Sequence, residues 1–350
     1  MTNDLRKMVR EDCLRVLGEA SRSFEVLQDG VLLMTGGTGF MGAWVAETVA
    51  FLNDHYRFDI RLQLLSKRAS QFAERAPHLA TRKDIQLIEQ NVLNIVELSD
   101  EVNWIIHAAS DPDGRSHATD AVGTLRTIVR GTDALLQAAS RLSNLRKILH
   151  VSSGLIYGAP GEKTRNICEG FVGGVDCAAP GQTYVEGKRA AETICAAYRS
   201  QMRLPIVTVR PFAFLGPYQL LDRPWAANNF IRDGLRGGPI RIQGDGQTVR
   251  SYMYPADMAW WLLTILARGP SGAAYNLGSP HGIALTDLAE KIVSLLPQPV
   301  KIVTRTMGLN APAATRLVPD ITLAKESLGL EIKTDLDAAI RLALQWYRAV

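Results

Sequence analysis

The stretch that most constrains this chain is residues 31–42. Val31-Leu32-Leu33-Met34-Thr35 is apolar almost throughout, as expected of a strand buried on both faces of a parallel sheet. It runs directly into Gly36-Gly37-Thr38-Gly39-Phe40-Met41-Gly42 and then into a helical pattern from Ala43 to Leu52. Strand, glycine turn and helix in immediate succession have one well-understood use. One glycine permits the tight turn, another lets backbone amides approach a pyrophosphate, and a third lets the helix pack against the sheet with its N-terminus facing the phosphates. Three glycines can also be structural in a turn, but the strand before and the helix after favour a dinucleotide site. Thr38, Phe40 and Met41 belong to the same cradle as Gly36, Gly39 and Gly42.

The alternation continues. Further strands are expected near Ile60–Leu65, Ile85–Glu89, Trp104–His107, Ile148–Val151 and Ile206–Arg210, with helices over His117–Ala139 and Tyr184–Arg199 between them. Repeated strand–helix–strand units predict a Rossmann-type, doubly wound parallel α/β sheet over residues 31–212. Residues 1–30 read as a helical extension, with Leu5, Met8, Val9, Val16 and Leu17 at helical spacing and an end near Gly18. Beyond Arg210, frequent Gly and Pro break the chain into short pieces. This predicts a smaller mixed α/β domain over 213–350, mainly for substrate, with some segments returning to the first domain. The total of 350 residues suits about two such cores.

Composition excludes several classes. With 47% hydrophobic and 21% charged residues the chain is not disordered. Lys+Arg 39 against Asp+Glu 35 gives a net charge of +4, too small and scattered for a nucleic-acid surface. Cys13, Cys168, Cys177 and Cys195 form no CxxC pair or zinc spacing, which fits a reducing compartment. Charged Asp4, Arg6, Lys7, Glu11 and Asp12 stand where a signal peptide would be apolar, and no run reaches the ~18 apolar residues of a membrane span. A cytoplasmic protein without membrane or nucleic-acid partners is expected.

The second strand bears on which dinucleotide binds. An acid at its tip hydrogen-bonds the ribose of NAD, whereas an Arg nearby accommodates the 2′-phosphate of NADP. Here the tip reads Ser66-Lys67-Arg68. That is either a solvated basic loop or a phosphate contact, and it favours NADP(H) while leaving NAD(H) open.

Tyr184-Val-Glu-Gly-Lys188 puts a phenol and an ammonium at i and i+4 on one helix face. A nearby cation stabilises the phenolate, and bringing a phenol from about 10 to about 7 corresponds to roughly 4 kcal/mol. Ser152-Ser153-Gly154 lies just past the strand Ile148–Val151, at the carboxyl end where such sheets bind ligands. These serines either cap a loop or hydrogen-bond the oxygen that Tyr184 protonates.

With these motifs in place the chain resembles the extended short-chain dehydrogenase/reductases, the nucleotide-sugar epimerase, dehydratase and reductase group. The resemblance rests on Thr35-Gly-Gly-Thr-Gly-Phe-Met-Gly42, His107-Ala-Ala109, Val151-Ser-Ser-Gly-Leu-Ile-Tyr-Gly158, Tyr184-Val-Glu-Gly-Lys188 and Arg210-Pro-Phe-Ala-Phe-Leu-Gly-Pro217. Gly244-Asp-Gly-Gln-Thr-Val-Arg250, the Asp257 region and Tyr275-Asn-Leu-Gly278 follow in the family's order. It implies Tyr184 as general acid/base, Lys188 as the residue that tunes it and holds the nicotinamide ribose, and Ser153 as the group that polarises the reacting oxygen. It also implies cofactor contacts at Asn91, Val92, His107, Ala108, Ala109, Pro211 and Phe212. Substrate contacts are implied at Ser110, Gly154, Ala213, Asn229, Arg250 and Arg316, the arginines facing a sugar-nucleotide diphosphate. A homodimer through Thr124–Ala139 and Tyr184–Arg199 is implied as well.

The departures narrow the expectation. The 4,6-dehydratases carry an Asp-Glu pair after the catalytic hydroxyl residue; here those positions are Gly154 and Leu155. A dehydratase is therefore disfavoured, and a decarboxylase needing the same glutamate loses support. Ala213 replaces a frequent Asn, and Asn91 a frequent Asp. An epimerase or a 4-ketoreductase remains, beside two other readings: a reductase of a non-sugar carbonyl and a non-catalytic NADP(H)-binding regulator.

Overall fold

The structure, a computed structural model, describes residues 3–158, 166–174, 176–305 and 314–349. Its centre is a seven-stranded parallel sheet of β1 (Val31–Thr35), β2 (Arg61–Ser66), β3 (Ile85–Glu89), β4 (Val102–His107), β5 (Lys147–Val151), β6 (Ile206–Pro211) and β11 (Ala274–Leu277). The spatial order is β11-β6-β5-β4-β1-β2-β3. The order reverses between β1 and β4, so the loops leaving those two strands diverge and open a crevice at their carboxyl ends. All five residues of β1 are buried, as its apolar run requires. Leu32 and Met34 face one helical layer, Val31 and Leu33 the other.

One layer contains α1 (Asn3–Leu17), α2 (Phe40–Tyr56), α3 (Ser70–Arg75), α4 (Pro77–Ala80) and α9 (Pro255–Arg268). The other is built on α6 (Ala121–Ala139) and α7 (Thr183–Met202). The continuous helix expected over His117–Ala139 is broken into α5 (Gly114–Thr119) and α6. Asp120 takes φ −140° and ψ 66°, and its carboxylate accepts the Gly123 N–H at 2.9 Å. An aspartate able to cap a new helix outcompetes continuation of the old one.

The remaining segments are α8 (Ala226–Leu235), α10 (Leu285–Ser294), α11 (Thr322–Leu328), α12 (Leu336–Ala349) and short strands. β7 (Ala213–Phe214) pairs with β10 (Tyr252–Met253), and β8 (Ile240–Gln243) with β13 (Ile302–Arg305). β9 (Val249–Arg250) lies between β12 (Ile283–Ala284) and β14 (Arg316–Leu317). Among the described residues no helix is long and apolar enough to cross a membrane.

The extension is bound to the rest by polar groups as well as by its apolar stripe. Buried Asp12 pairs with Arg15 and accepts a hydrogen bond from Tyr254, the residue preceding α9. Burial, only partly offset by Tyr254 and Arg15, pushes the Asp12 carboxyl up to about 6. A raised carboxyl pKa stabilises the fold fully below about pH 4, and that contribution is lost as pH rises through 6. Relative to Asp12→Asn, the wild-type chain should lose roughly 3 kcal/mol of unfolding free energy between pH 4 and pH 7. Urea titrations of both proteins at the two pH values measure it, and parallel pH dependences would refute it.

Candidate functional site

The glycine turn lies at the crevice. Gly36 has φ +68°, and a Cβ there would sit 2.7 Å from the Ala108 carbonyl oxygen, across the gap between β1 and β4. A Cβ on Gly42 would lie 1.8 Å from the Gly37 carbonyl oxygen, so α2 can start against the loop only with glycine at this position. Gly39 precedes the helix without a side-chain cap. The first-turn N–H groups of α2, which begins Phe40-Met41-Gly42, therefore point at the crevice and suit a pyrophosphate. The loop is a flat cradle that fits a dinucleotide. Thr38 holds it from outside, its carbonyl accepting a hydrogen bond from Arg75 at the end of α3.

Farther along the crevice, Ser66 ends β2, and Lys67 and Arg68 are exposed in the next turn. Glu89, at the end of β3, is the register partner of Ser66 and accepts the Ser70 N–H at 3.0 Å. That hydrogen bond lowers its carboxyl pKa, so an ionised acid stands beside the basic tip. The Asn91 amide oxygen accepts the Leu93 N–H at 3.0 Å, and Val92 is buried against Gly131. One lone pair of that oxygen remains for an adenine.

His107 is buried between the Thr35 hydroxyl at 2.7 Å and the Thr132 hydroxyl at 3.0 Å. Burial pushes its imidazole down to about 3, so it is a neutral brace that fixes β4 against β1 and α6. Ala108, Ala109 and Ser110 then carry the chain over the cradle.

Tyr184 and Lys188 lie on the first turns of α7, 5% and 3% exposed. Ser153, just past β5, and Ser110, just past β4, both act on the Tyr184 phenol to favour its ionised form. Ser153 Oγ also accepts the Leu155 N–H at 3.1 Å, which fixes its rotamer. Lys188 Nζ donates to the Val151 carbonyl at 2.8 Å and lies 5.8 Å from the centre of the Tyr184 ring. Burial pushes Tyr184 up to about 12, against the opposing influence of the two serines, and pushes Lys188 down to about 8.

The serine loop is supported from below. Arg210 forms a two-pronged pair with Glu192 at 3.0 and 2.8 Å and donates to the Tyr157 hydroxyl at 2.9 Å, which itself donates to Asn276 at 2.7 Å. Pro211 and Phe212 follow at the end of β6. A Cβ on Gly154 would meet the Phe212 ring at 2.9 Å.

Arg250 and Arg316 come from adjacent strands, Arg316 being the register partner of Val249. Arg250 is held by Thr315, through its carbonyl at 3.0 Å and hydroxyl at 2.9 Å, and burial lowers its pKa. Arg316 donates to the Asn166 amide oxygen at 3.2 Å. Ala213 pairs with Tyr252 two residues past Arg250. Asn229 departs from the set: it lines a groove with Arg232, Asp233, Arg241, Gln243, Val303 and Thr304, none of which belongs to the Tyr184 cluster.

Sequence reasoning passed over Arg75, Glu89 and His117. The last stacks on Tyr184 with ring centres 4.3 Å apart and 11° between planes. No local motif signals it, because the contact depends on how residues 110–120 fold back.

Sheet, cradle and Tyr–Lys pair together have the form of an extended short-chain dehydrogenase/reductase. A model of the NAD dependent epimerase/dehydratase family matches residues 32–278. UDP-glucuronic acid decarboxylase 6 of Arabidopsis thaliana is 29% identical over 318 residues, covering 91% of this chain and 88% of that protein. UDP-glucuronic acid decarboxylase 1 of Danio rerio is 27% identical, over 90% and 72%. In fold, the chain is similar to the UDP-glucuronic acid 4-epimerase of Bacillus cereus, solved with UDP-glucuronic acid and NAD, with TM-score 0.77, 21% identity and coverage of 91% and 99%. This chain belongs to the NAD-dependent epimerase/dehydratase family.

Proposed function

We propose that the protein is a nucleotide-sugar epimerase or 4-ketoreductase. The observation that carries this reading is the grouping of Ser110 and Ser153 about the Tyr184 phenol, with Lys188 one turn farther along α7. Gly36, Gly39, Gly42 and the start of α2 would hold the cofactor pyrophosphate, and Lys188 its nicotinamide ribose. When bound, the nicotinamide supplies the hydride chemistry. Ser153 hydrogen-bonds the reacting sugar oxygen, and Tyr184 removes or returns its proton. Lys188, buried and cationic, stabilises the phenolate.

The residues after Ser153 support an enzyme of this kind over a dehydratase or decarboxylase. Gly154 has no room for a carboxylate beneath Phe212, and Leu155 has no proton to move. For the cofactor we propose NAD(H), against the lean that Ser66-Lys67-Arg68 gives toward NADP(H). The Glu89 carboxylate beside Ser66 would repel a 2′-phosphate. A homodimer is supported by Val122 and Leu125, apolar yet 68% and 41% exposed on α6.

The test is to denature freshly purified protein, identify the released dinucleotide by chromatography and mass, and incubate intact protein with UDP-glucose and UDP-glucuronic acid. Stoichiometric NAD⁺ and conversion of a sugar to its C4 epimer are expected of an epimerase. An empty protein that consumes a reduced dinucleotide with a keto-sugar nucleotide selects the reductase branch. Release of CO₂ from UDP-glucuronic acid would overturn the proposal in favour of a decarboxylase.

Arg250→Ala tests the substrate class. Losing a charge-assisted contact to a diphosphate, worth about 1.5–3 kcal/mol, should weaken nucleotide-sugar binding roughly 10- to 100-fold. Calorimetry with UDP-glucose reads this. A non-sugar carbonyl substrate would bind Arg250→Ala as it binds the wild type.

A further inference from the structure

The glycine turn is braced by a cation to which the protein offers no acid. Arg75 ends α3, which is anchored by buried Phe72, and its guanidinium lies 5.8 Å from the centre of the Phe72 ring. One terminal nitrogen, Nη2, donates to the Thr38 carbonyl. Nε is buried and meets no acceptor, and among the described residues Arg75 forms no ion pair with Asp or Glu.

The titratable group that acts on Arg75 is Tyr218, in the segment after β7. The Tyr218 hydroxyl donates to Glu47 of α2, and Glu47 also lies 2.8 Å from His78 Nε2. That carboxylate is therefore shared between a phenol and an imidazole. Burial lowers the Arg75 pKa, yet a guanidinium keeps its charge in a protein. A charge withdrawn from water without an opposite one beside it is costly, so this corner is built to receive an anion.

The hydrogen bond to Thr38 says which anion. The Thr38 carbonyl and the Gly39 N–H belong to one planar peptide group. Arg75 holds its oxygen, and the Gly36 carbonyl accepts its N–H at 3.0 Å. Tied at both ends, this peptide is not free to turn its oxygen toward a phosphate. It leads directly into Phe40 and Met41, the first residues of α2, where the open N–H groups of the helix suit an anion. We propose that Arg75 is a positioning residue of the dinucleotide site, holding the glycine cradle through Thr38 and acting as the counter-charge of the cofactor pyrophosphate. This inference rests on the cradle being the pyrophosphate site.

The experiment titrates the full chain, cleared of any retained dinucleotide, with ADP-ribose by calorimetry and with adenosine by ligand-observed NMR. ADP-ribose carries the pyrophosphate and adenosine lacks it. Arg75→Gln keeps a donor for the Thr38 carbonyl without the charge, and Arg75→Lys keeps both. Arg75→Gln should bind ADP-ribose at least about tenfold more weakly than the wild type, as the loss of a charged partner requires. Arg75→Lys should stay within about threefold of the wild type, because a single donor rather than a fork meets Thr38. Adenosine affinity should change by less than about threefold in either variant. Unchanged ADP-ribose affinity in Arg75→Gln would overturn the proposal, as would a tenfold loss in Arg75→Lys. So would a loss of adenosine affinity equal to that of ADP-ribose, which would leave Arg75 as packing. Thermal melts establish which variants fold, and either one alone decides the matter. A wild type that binds no ADP-ribose would refute the cradle reading itself.

Discussion

Tyr184→Phe should abolish turnover while the protein still folds and still binds dinucleotide. The change removes one oxygen and leaves the ring, its stack on His117 and the position of Lys188 in place. What disappears is the hydroxyl whose ionisation Ser110 and Ser153 favour. A positioned proton donor contributes about 10²–10⁴-fold in rate, so a fall of about a thousandfold or more is expected in kcat. Dinucleotide affinity should stay within about threefold, since the cradle proposed for the pyrophosphate is built by β1 and α2 and Tyr184 lies on α7. The two readouts are kcat on whichever sugar nucleotide proves active and a dinucleotide titration by calorimetry. Retained turnover would remove Tyr184 from the mechanism. Lost turnover together with lost dinucleotide binding would mean instead that the phenol is structural.

Gly42→Ala is expected to have the opposite signature, with dinucleotide binding lost first. A methyl group here would lie 1.8 Å from a main-chain oxygen at Gly37, and main chain cannot rotate away as a side chain can. Either α2 slides outward or the loop lifts, and both turn the first-turn N–H groups from the phosphates. Overpacking of this kind costs about 1–3 kcal/mol or more in stability, and a displaced cradle should weaken dinucleotide binding by about a hundredfold or more. Gly238→Ala, outside the cradle and with nothing within 4 Å of the added methyl, is the internal control. Calorimetric titration and thermal melts on both variants separate the cases. Equal dinucleotide affinity in Gly42→Ala and wild type would mean that the cradle is not where the cofactor sits.

Both predictions draw on parts of the molecule that were legible in the sequence, for a physical reason. The β1 strand, the glycine turn and the start of α2 are contiguous, so hydrophobic pattern and backbone sterics act within a dozen residues. Tyr184 and Lys188 are likewise related by one helical turn. Less local features escaped. The helix over His117–Ala139 was expected to be continuous because apolar spacing persists across Asp120, while the competing cap at Gly123 is a matter of one side-chain hydrogen bond. Glu89 stands beside the basic tip of β2 from the next strand, β3, rather than from the tip itself. Arg75 reaches Thr38 across 37 residues of chain. His117 meets Tyr184 only because Asp111 and Asp113 fold the intervening loop back, and no periodicity encodes that. Asn229 illustrates the converse: the family resemblance implies a substrate contact there, whereas α8 sets it in a groove with Arg232, Asp233 and Arg241.

The seventh strand of the sheet has a consequence for how the protein is made. β11 pairs with β6 over four residues, but more than sixty residues separate their positions in the chain. During synthesis, β6 emerges from the ribosome with one edge unpaired, and it stays so until β11 follows. Bare strand edges are templates for association with other chains. The nascent protein passes through an interval in which six strands are present and β6, an inner strand of the finished sheet, is still its edge. A chain interrupted before residue 274 would keep the glycine cradle and the Tyr–Lys pair in its sequence, yet would leave the longer, inner strand β6 as the sheet's edge.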